Sequence, residues 1–331
     1  MTRERILALL WQNADSYISG AQLAAALSVS RTAVWKGIEQ LRQEGYEIES
    51  VTNKGYKLCS RSDVLSPAGL ARHLRDPRLQ VRVYESIGST NTALKPFAAE
   101  GAAEGLALVA GEQTAGRGRM GRSFYSPPGS GVYFSVLLRP NVAAAEVTRI
   151  TACAAVAAAE TIEELSGLET QIKWVNDILI GGKKVCGILS EGSLDCESGM
   201  MNYVIVGVGI NTRPPAEDFP EELRGVAGAI FTQERVPELR CRLAAGVLNR
   251  LMACYDRLDD AAIYEAYKKR SLVLGREVNI LSPGQAPVPA QVLDLAPDYA
   301  LLVRLEDGSL RRLSAGEVSI RVHPAGENGV D

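Results

Sequence analysis

Only two histidines, His73 and His323, occur in the 331 residues, and neither has cysteine or carboxylate neighbours at metal-ligand spacing. That argues against a structural zinc site and against Ser-His-Asp hydrolysis. The six cysteines (Cys59, Cys153, Cys186, Cys196, Cys241 and Cys254) form no C-x-x-C and no paired spacing. They read as thiols of a reducing compartment. No apolar run approaches the ~18 residues that span a bilayer. Met1-Thr2-Arg3-Glu4-Arg5 opens an amphipathic helix, not a signal peptide, so a cytoplasmic chain without membrane contact is expected. A formal charge of −3 gives no global pull toward nucleic acid, which leaves any such contact to a local patch. What remains, 46% apolar and 23% charged residues, is the balance of a globular protein with room for two or three domains.

The densest chemistry lies in Gly116-Arg117-Gly118-Arg119-Met120-Gly121-Arg122, entered through Gly111-Glu112-Gln113-Thr114-Ala115. Glycines let the backbone lie against a ligand, and the interleaved arginines offer forks of donors to carboxylate or phosphate oxygens. The spacing also satisfies G-x-G-x-x-G. A dinucleotide fold needs a helix directly after that motif. Ser123-Phe124-Tyr125-Ser126-Pro127-Pro128-Gly129 cannot begin one, so an anion-holding loop is the expectation.

Residues 1–62 read as a winged helix-turn-helix. Ile6, Leu7, Leu9 and Leu10 mark a first helix, and Ser19-Gly20-Ala21-Gln22 is a capping-box start for a second. Ser30 caps a third, in which Val34, Ile38 and Leu41 recur at i, i+4 and i+7. Alternating segments around Thr52-Asn53-Lys54 then form a hairpin. The polar face of the third helix places Ser30, Arg31, Thr32, Trp35 and Lys36 where a recognition helix meets DNA, with Lys54 on the wing. So small a module binds specifically as a dimer across two half-sites.

Residues 66–270 read as a mixed sheet with helices, and residues 271–323 as short strands of a small SH3-like barrel; the fold class is α+β. Pro237 to Arg270 is expected to be one amphipathic helical region, with Arg240 and Arg250 solvated. Within the central part, Ser89, Thr90 and Asn91 gather small polar groups at a helix start. Lys173, Asn176 and Asp177 sit at a break between strands, and Lys184 opens an apolar strand. Gly207 and Gly209 let something approach a buried strand that ends at Asn211. With no nucleophile beside a base, the chemistry that fits is phosphoryl-centred, driven by positioning and charge neutralisation with Mg²⁺.

Five ordered motifs carry a resemblance: Ser89-Thr90-Asn91, the Gly116 to Arg122 loop, Lys173-Trp174-x-Asn176-Asp177, Lys184-x-x-Gly187-Ile188-Leu189 and Gly207-x-Gly209-Ile210-Asn211. Together with the winged region, the chain resembles the biotin protein ligases of the bifunctional ligase/repressor type. The resemblance implies a class II synthetase-like ligase domain. It implies activation of biotin by ATP to biotinyl-5′-AMP, then transfer to a lysine of the biotin carboxyl carrier domain of a biotin-dependent carboxylase. It further implies repression at operator DNA of biotin genes by a ligand-induced homodimer. It assigns Ser89, Thr90, Asn91, Gln113, Arg117, Gly118, Arg119 and Lys184 to biotin, with Arg117, Arg119 and Lys184 catalytic. Arg122, Lys173, Asn176, Asp177, Gly187, Asn211 and Arg321 go to nucleotide or phosphate, with the Mg²⁺ ligands unassigned. Met120 replaces an arginine common in this loop, and residues 212–230 lack the tryptophan often offered to adenine. The nearest alternatives are a lipoate–protein ligase and a biotin-sensing transcription factor without catalysis.

Overall fold

The computed structural model describes residues 2–14, 16–59, 63–232, 236–282, 284–314 and 319–322. His323, Pro283 and the expected domain ends at 62 and 323 lie outside them. Helices α1 (Thr2–Gln12), α2 (Gly20–Leu27) and α3 (Arg31–Gln43) precede the hairpin β1 (Ile48–Val51) and β2 (Gly55–Leu58). The capping box forms as expected: Gln22 N–H donates to Ser19 Oγ at 3.1 Å, and Ser19 N–H to Gln22 Oε1 at 2.8 Å. Val34, Ile38 and Leu41 turn inward with Ile6, Leu10 and Leu23, giving the winged module a core of its own.

Helix α4 (Pro67–Ala71) opens the central part with Ser66 as its cap. Strand β3 (Gln80–Tyr84), α5 (Thr90–Ala99), β4 (Leu106–Ala110) and β5 (Gly131–Leu138) follow, then the 20-residue helix α6 (Val147–Ser166). Next come β6 (Gln171–Lys173), β7 (Asp177–Ile180), β8 (Lys183–Leu194) and β9 (Met201–Asn211). These strands form one seven-stranded sheet in the order β3-β4-β5-β9-β8-β7-β6, parallel between β3 and β4 and antiparallel elsewhere. Helices α7 (Leu239–Tyr255) and α8 (Ala261–Arg270) close the central part. The long helical region expected here is made of two helices, the second capped by Asp260, which accepts from Ala262 N–H at 2.8 Å.

Strands β10 (Glu277–Leu281), β11 (Val288–Leu295), β12 (Leu301–Leu305), β13 (Leu310–Leu313) and β14 (Ser319–Val322) make a five-stranded antiparallel sheet. Its apolar face (Val278, Val292, Leu301, Val303) runs into the same core as α6, α7 and the large sheet. Two hydrogen bonds fasten it beneath the β6–β7 turn: Trp174 Nε1 to Tyr299 O at 2.8 Å, and Leu272 N to Ile172 O at 2.9 Å.

Arg240 is a correction to the sequence expectation. Its side chain is 17% exposed and clamps Asp63, just beyond the winged module, with Nε 3.3 Å from Oδ2 while its own N–H donates to Oδ1 at 2.9 Å. Arg250 likewise pairs with Glu160 and Glu164 on α6. The wing depends on Gly55, whose φ of +109° and 2.2 Å separation between a built Cβ and Ile18 O leave no space for a side chain. Gly55→Ala is expected to destabilise the winged module by about 2 kcal/mol. Hydrogen exchange should quicken in Ile48–Val51 and Gly55–Leu58 while Leu106–Ala110 stays protected; equal protection in both would count against this packing.

Candidate active site

Alternation along β9 decides where a ligand can sit. Val204, Val206, Val208 and Ile210 face the core under α6, while Ile205, Gly207, Gly209 and Asn211 face the other way. On that second face, Ile205 and Leu108 are covered by Leu94 and Ala98 of α5. Beyond Ile205 the side chains vanish. Gly209 lies opposite Gly187 of β8 and Tyr133 of β5, and Gly207 opposite Ser135. A Cβ built on Gly207 would stand 2.1 Å from Asn91 Oδ1, and one on Gly209 would stand 2.5 Å from the Phe124 ring. The glycines thus form a floor on which Asn91, Phe124 and a ligand can rest.

The polar end of this floor is a connected network. Gln113 Oε1 accepts from Thr90 N–H at 2.9 Å and lies 3.0 Å from Thr90 Oγ1. Gln113 Nε2 donates to Ser126 Oγ at 3.1 Å. Asn91 Nδ2 donates to Leu189 O at 3.2 Å and to Glu191 Oε2 at 2.9 Å. Ser135, fully buried, reaches both Asn91 Oδ1 at 2.6 Å and Thr90 Oγ1 at 2.7 Å. Ser89 caps α5 from the cavity wall.

The other end is cationic. Lys184 Nζ stands 2.7 Å from Asp177 Oδ1 and 5.6 Å from the centroid of the Phe124 ring. Arg119 Nη1 donates to Asn176 Oδ1 at 3.1 Å, and burial pulls its guanidinium below the usual range despite Asp177 nearby. Arg117, by contrast, stands beside the polar network, its Nη1 3.2 Å from Glu191. Ser89, Thr90, Asn91 and Gln113 therefore line one cavity with Arg117, Gly118, Arg119, Asn176, Lys184 and Gly187. The cavity encloses about 50 Å³, room for a few waters.

Four residues expected at the nucleotide, Arg122, Lys173, Asp177 and Asn211, stand outside that lining. Arg122 is exposed, Lys173 ends β6, and Asn211 Nδ2 is engaged with Gly228 O at 3.0 Å. Arg321 lies on β14 opposite Asn279, its side chain outside the described set. Asp177 is the strand partner of Gly187 and borders the cavity through Lys184. No helix follows the Gly-Arg loop, only a short 3₁₀ turn over Arg119–Gly121 with Met120 at φ +55°, in keeping with rejection of the dinucleotide fold.

Residues 83–211 match the Biotin/lipoate A/B protein ligase family, residues 2–57 an HTH domain, and residues 273–321 the Biotin protein ligase C terminal domain. The bifunctional ligase/repressor BirA of Bacillus subtilis is 40% identical over 259 residues, 77% of each chain. That of Escherichia coli is 30% identical over 321 residues, 96% of each. The chain belongs to the BirA-type ligase/repressor family. A solved biotin protein ligase from Aquifex aeolicus, in complex with biotin and ATP, superposes with a TM-score of 0.60 at 27% identity, over 74% of this chain and 99% of that one.

The BirA-type winged module presents the expected face. Arg31, Thr32, Trp35 and Lys36 are all exposed on α3, Trp35 to 54%. Ser30 Oγ is engaged as the helix cap, accepting from Ala33 N–H at 3.1 Å. Lys54 on the wing leans over the Tyr17 ring, 5.7 Å from its centroid.

Sequence reasoning missed Phe124, Ser135 and Glu191. Phe124 stood out only as part of a run that breaks helices. The other two are polar interruptions of apolar strands, a signal visible in Ser135 and Glu191 but without meaning until the register is known. Gly207→Ala tests the floor. Its methyl displaces an amide held by Glu191, Leu189 and Ser135, and should cost about 1–3 kcal/mol of stability. Thermal unfolding should register a fall of several degrees; an unchanged midpoint would contradict the packing of Asn91 on the sheet.

Proposed function

We infer that this chain is a biotin–protein ligase that also acts as a DNA-binding repressor. The observation carrying the reading is one cavity with the donor–acceptor network of Thr90, Asn91, Gln113 and Ser135 at one end, Arg117 and the Glu191 carboxylate beside it, and Arg119 and Lys184 at the other. A cyclic urea with a carboxylate tail suits such a site, its polar head to the network and its acid to the cations.

In the first step a biotin carboxylate oxygen attacks the α-phosphorus of ATP, the bond to the β-phosphate oxygen breaks, and pyrophosphate leaves. Lys184 and Arg119 sit where charge builds on the phosphoryl oxygens, and their fixed positive charge lowers the barrier without reorganisation. Lys184 gives up Asp177 as its partner in doing so. The glycines of the Gly-Arg loop let it close and exclude water from the mixed anhydride. In the second step an acceptor lysine amine attacks the acyl carbon and AMP departs. The acceptor is a biotin carboxyl carrier domain.

Asp177 also fits a hard cation. Its Oδ1 is shielded from solvent and touches the Lys184 ammonium without an aligned hydrogen bond. One carboxylate shared with phosphate oxygens is a common way to hold Mg²⁺. Asp177 and Asn176 would hold it, and it would supply charge neutralisation on the triphosphate.

For the second activity, Arg31, Thr32, Trp35 and Lys36 meet operator bases and phosphates, with Lys54 on flanking backbone. A single module makes few contacts, so repression requires a homodimer, formed when the adenylate orders the Gly-Arg loop. Against a lipoate ligase stands the polar network, which a dithiolane ring cannot satisfy. Against a non-catalytic sensor stand the cations grouped at the acid end.

Lys184→Ala should lower pyrophosphate release with biotin and Mg-ATP by about a hundredfold or more while the unfolding midpoint holds. Near-normal release by the folded variant would remove Lys184 from the chemistry. Sedimentation should give a dimer with biotin and Mg-ATP together and a monomer without them. A monomer under both conditions would end the dimer model of repression.

A further inference from the structure

The Gly-Arg loop closes on itself as a narrow hairpin. Phe124 N–H donates to Gly116 O at 3.0 Å, and Gly118 N–H donates to Arg122 O at 2.7 Å. Those bonds hold the segment together without holding it to the sheet. Two arginine side chains reach across. Arg119 Nη1 donates to Asn176 Oδ1 at 3.1 Å. Arg117 Nη1 stands 3.2 Å from Glu191 Oε1 on β8 and 3.5 Å from Thr92 Oγ1 on α5.

What Arg117 grips is itself held in place. Glu191 Oε2 accepts from Asn91 Nδ2 at 2.9 Å and Oε1 from Lys95 Nζ at 2.9 Å, both donors on α5. Burial works against ionisation of this carboxyl. The Asn91 and Lys95 hydrogen bonds, with the Lys95 and Arg117 charges, outweigh it and hold the group below its ordinary range. The loop therefore meets a fixed, charged acceptor shared by a strand and a helix. A guanidinium beside a carboxylate has much of its charge cancelled toward groups farther away. Arg117 also lies next to the polar network, whereas Lys184 and Arg119 occupy the other end. Its position suits holding better than phosphate chemistry.

We propose that Glu191 is a positioning residue that tethers the Gly-Arg loop through Arg117, and that Arg117 keeps the loop shut over the head-group end. The inference rests on the ligase reading and deepens it, because in that reading the loop shields a mixed anhydride. With the loop lifted, water attacks the acyl carbon, the bond to the phosphate oxygen breaks, and biotin and AMP leave with nothing transferred. The pair is partly exposed, Arg117 to 46% and Glu191 to 20%. Its loss should therefore shift the loop by no more than about fivefold.

Full-length wild type, Glu191→Gln and Arg117→Gln are compared with biotin and Mg-ATP bound. Glutamine at 191 keeps the shape and an acceptor for Asn91 while removing the charge. Hydrogen exchange over residues 116–122 should quicken about three- to fivefold in both variants, with Leu106–Ala110 unchanged. Pyrophosphate released per biotin transferred to a carrier domain should rise by a similar factor. Added salt should raise that ratio in wild type and hardly at all in Glu191→Gln, which has no ion pair left to screen. The double variant should be no worse than the worse single one, since both changes break one contact. Pyrophosphate release by Arg117→Gln should fall far less than the loss of about a hundredfold expected for Lys184→Ala. A fall as large as that of Lys184→Ala would put Arg117 among the phosphate cations and overturn the proposal. Unchanged loop exchange in a folded Glu191→Gln protein, or additive effects in the double variant, would overturn it too. If Glu191→Gln does not fold, Arg117→Gln decides on the same exchange and release criteria, since it leaves Asn91 and Lys95 their carboxylate. Wild-type protein that releases no pyrophosphate with biotin would instead bring down the ligase reading, and this inference with it.

Discussion

Everything at the site follows from one strand being two things at once. Every second residue of β9, from Val204 to Ile210, is a branched apolar side chain locked into the core with α6, and this anchors the strand. The intervening positions change character midway, from Ile205 to Gly207 and Gly209. A strand of glycine alone would be floppy, and one of valine alone would leave no room. Putting the stiffness on one face lets the other be bare. Because antiparallel neighbours share faces, the bareness extends to Gly187 on β8, and the one small polar side chain of β5, Ser135, arrives beside Gly207.

That geometry also explains why the two ends of the cavity differ. The polar end is built on α5 and the middle of the sheet, where every donor and acceptor is held by at least one fixed partner. The cationic end rests on shorter pieces: the β6–β7 turn, the start of β8 and the Gly-Arg loop. There Lys184 pairs with the Asp177 carboxylate and Arg119 donates to the Asn176 amide, while Arg117 pairs with Glu191 where the two ends meet. A partly exposed ion pair contributes little stability. Such pairs can be exchanged for pairs with a ligand at small cost, whereas the buried network cannot be rearranged without leaving groups unsatisfied. Recognition is rigid and charge handling is exchangeable.

Local chemistry was legible in the sequence; long-range pairing was not. The α3 periodicity, the Ser19 capping box, the Gly-Arg loop and the glycines of β9 each announce themselves over a few residues, and each behaves in the fold as its local physics requires. Arg240 looked solvated because nothing in the local sequence points to its partner. Its partner Asp63 precedes it by 177 residues. Ser135 and Glu191 gain their roles from register, which only the assembled sheet defines. Phe124 follows a helix-breaking logic in the sequence, yet what matters is that its ring lies over Gly187 and Gly209.

The same strand reaches the joint between modules. Just past Asn211, Thr212 and Arg213 both donate their N–H to Ser130 O, at 2.8 and 2.9 Å. Arg213 Nη1 then stands 3.7 Å from Asp63 Oδ2, and Arg240 grips the other side of the same residue. Asp63 is buried enough that its carboxyl is pushed above the usual range despite both guanidiniums. Removing one partner of so buried a carboxylate costs more than an exposed pair would, because the remaining charge is left poorly solvated. The residue just beyond the wing is thus fastened to the end of the strand whose glycines floor the cavity. Asp63 thereby joins the end of β9, through Arg213, to α7, through Arg240.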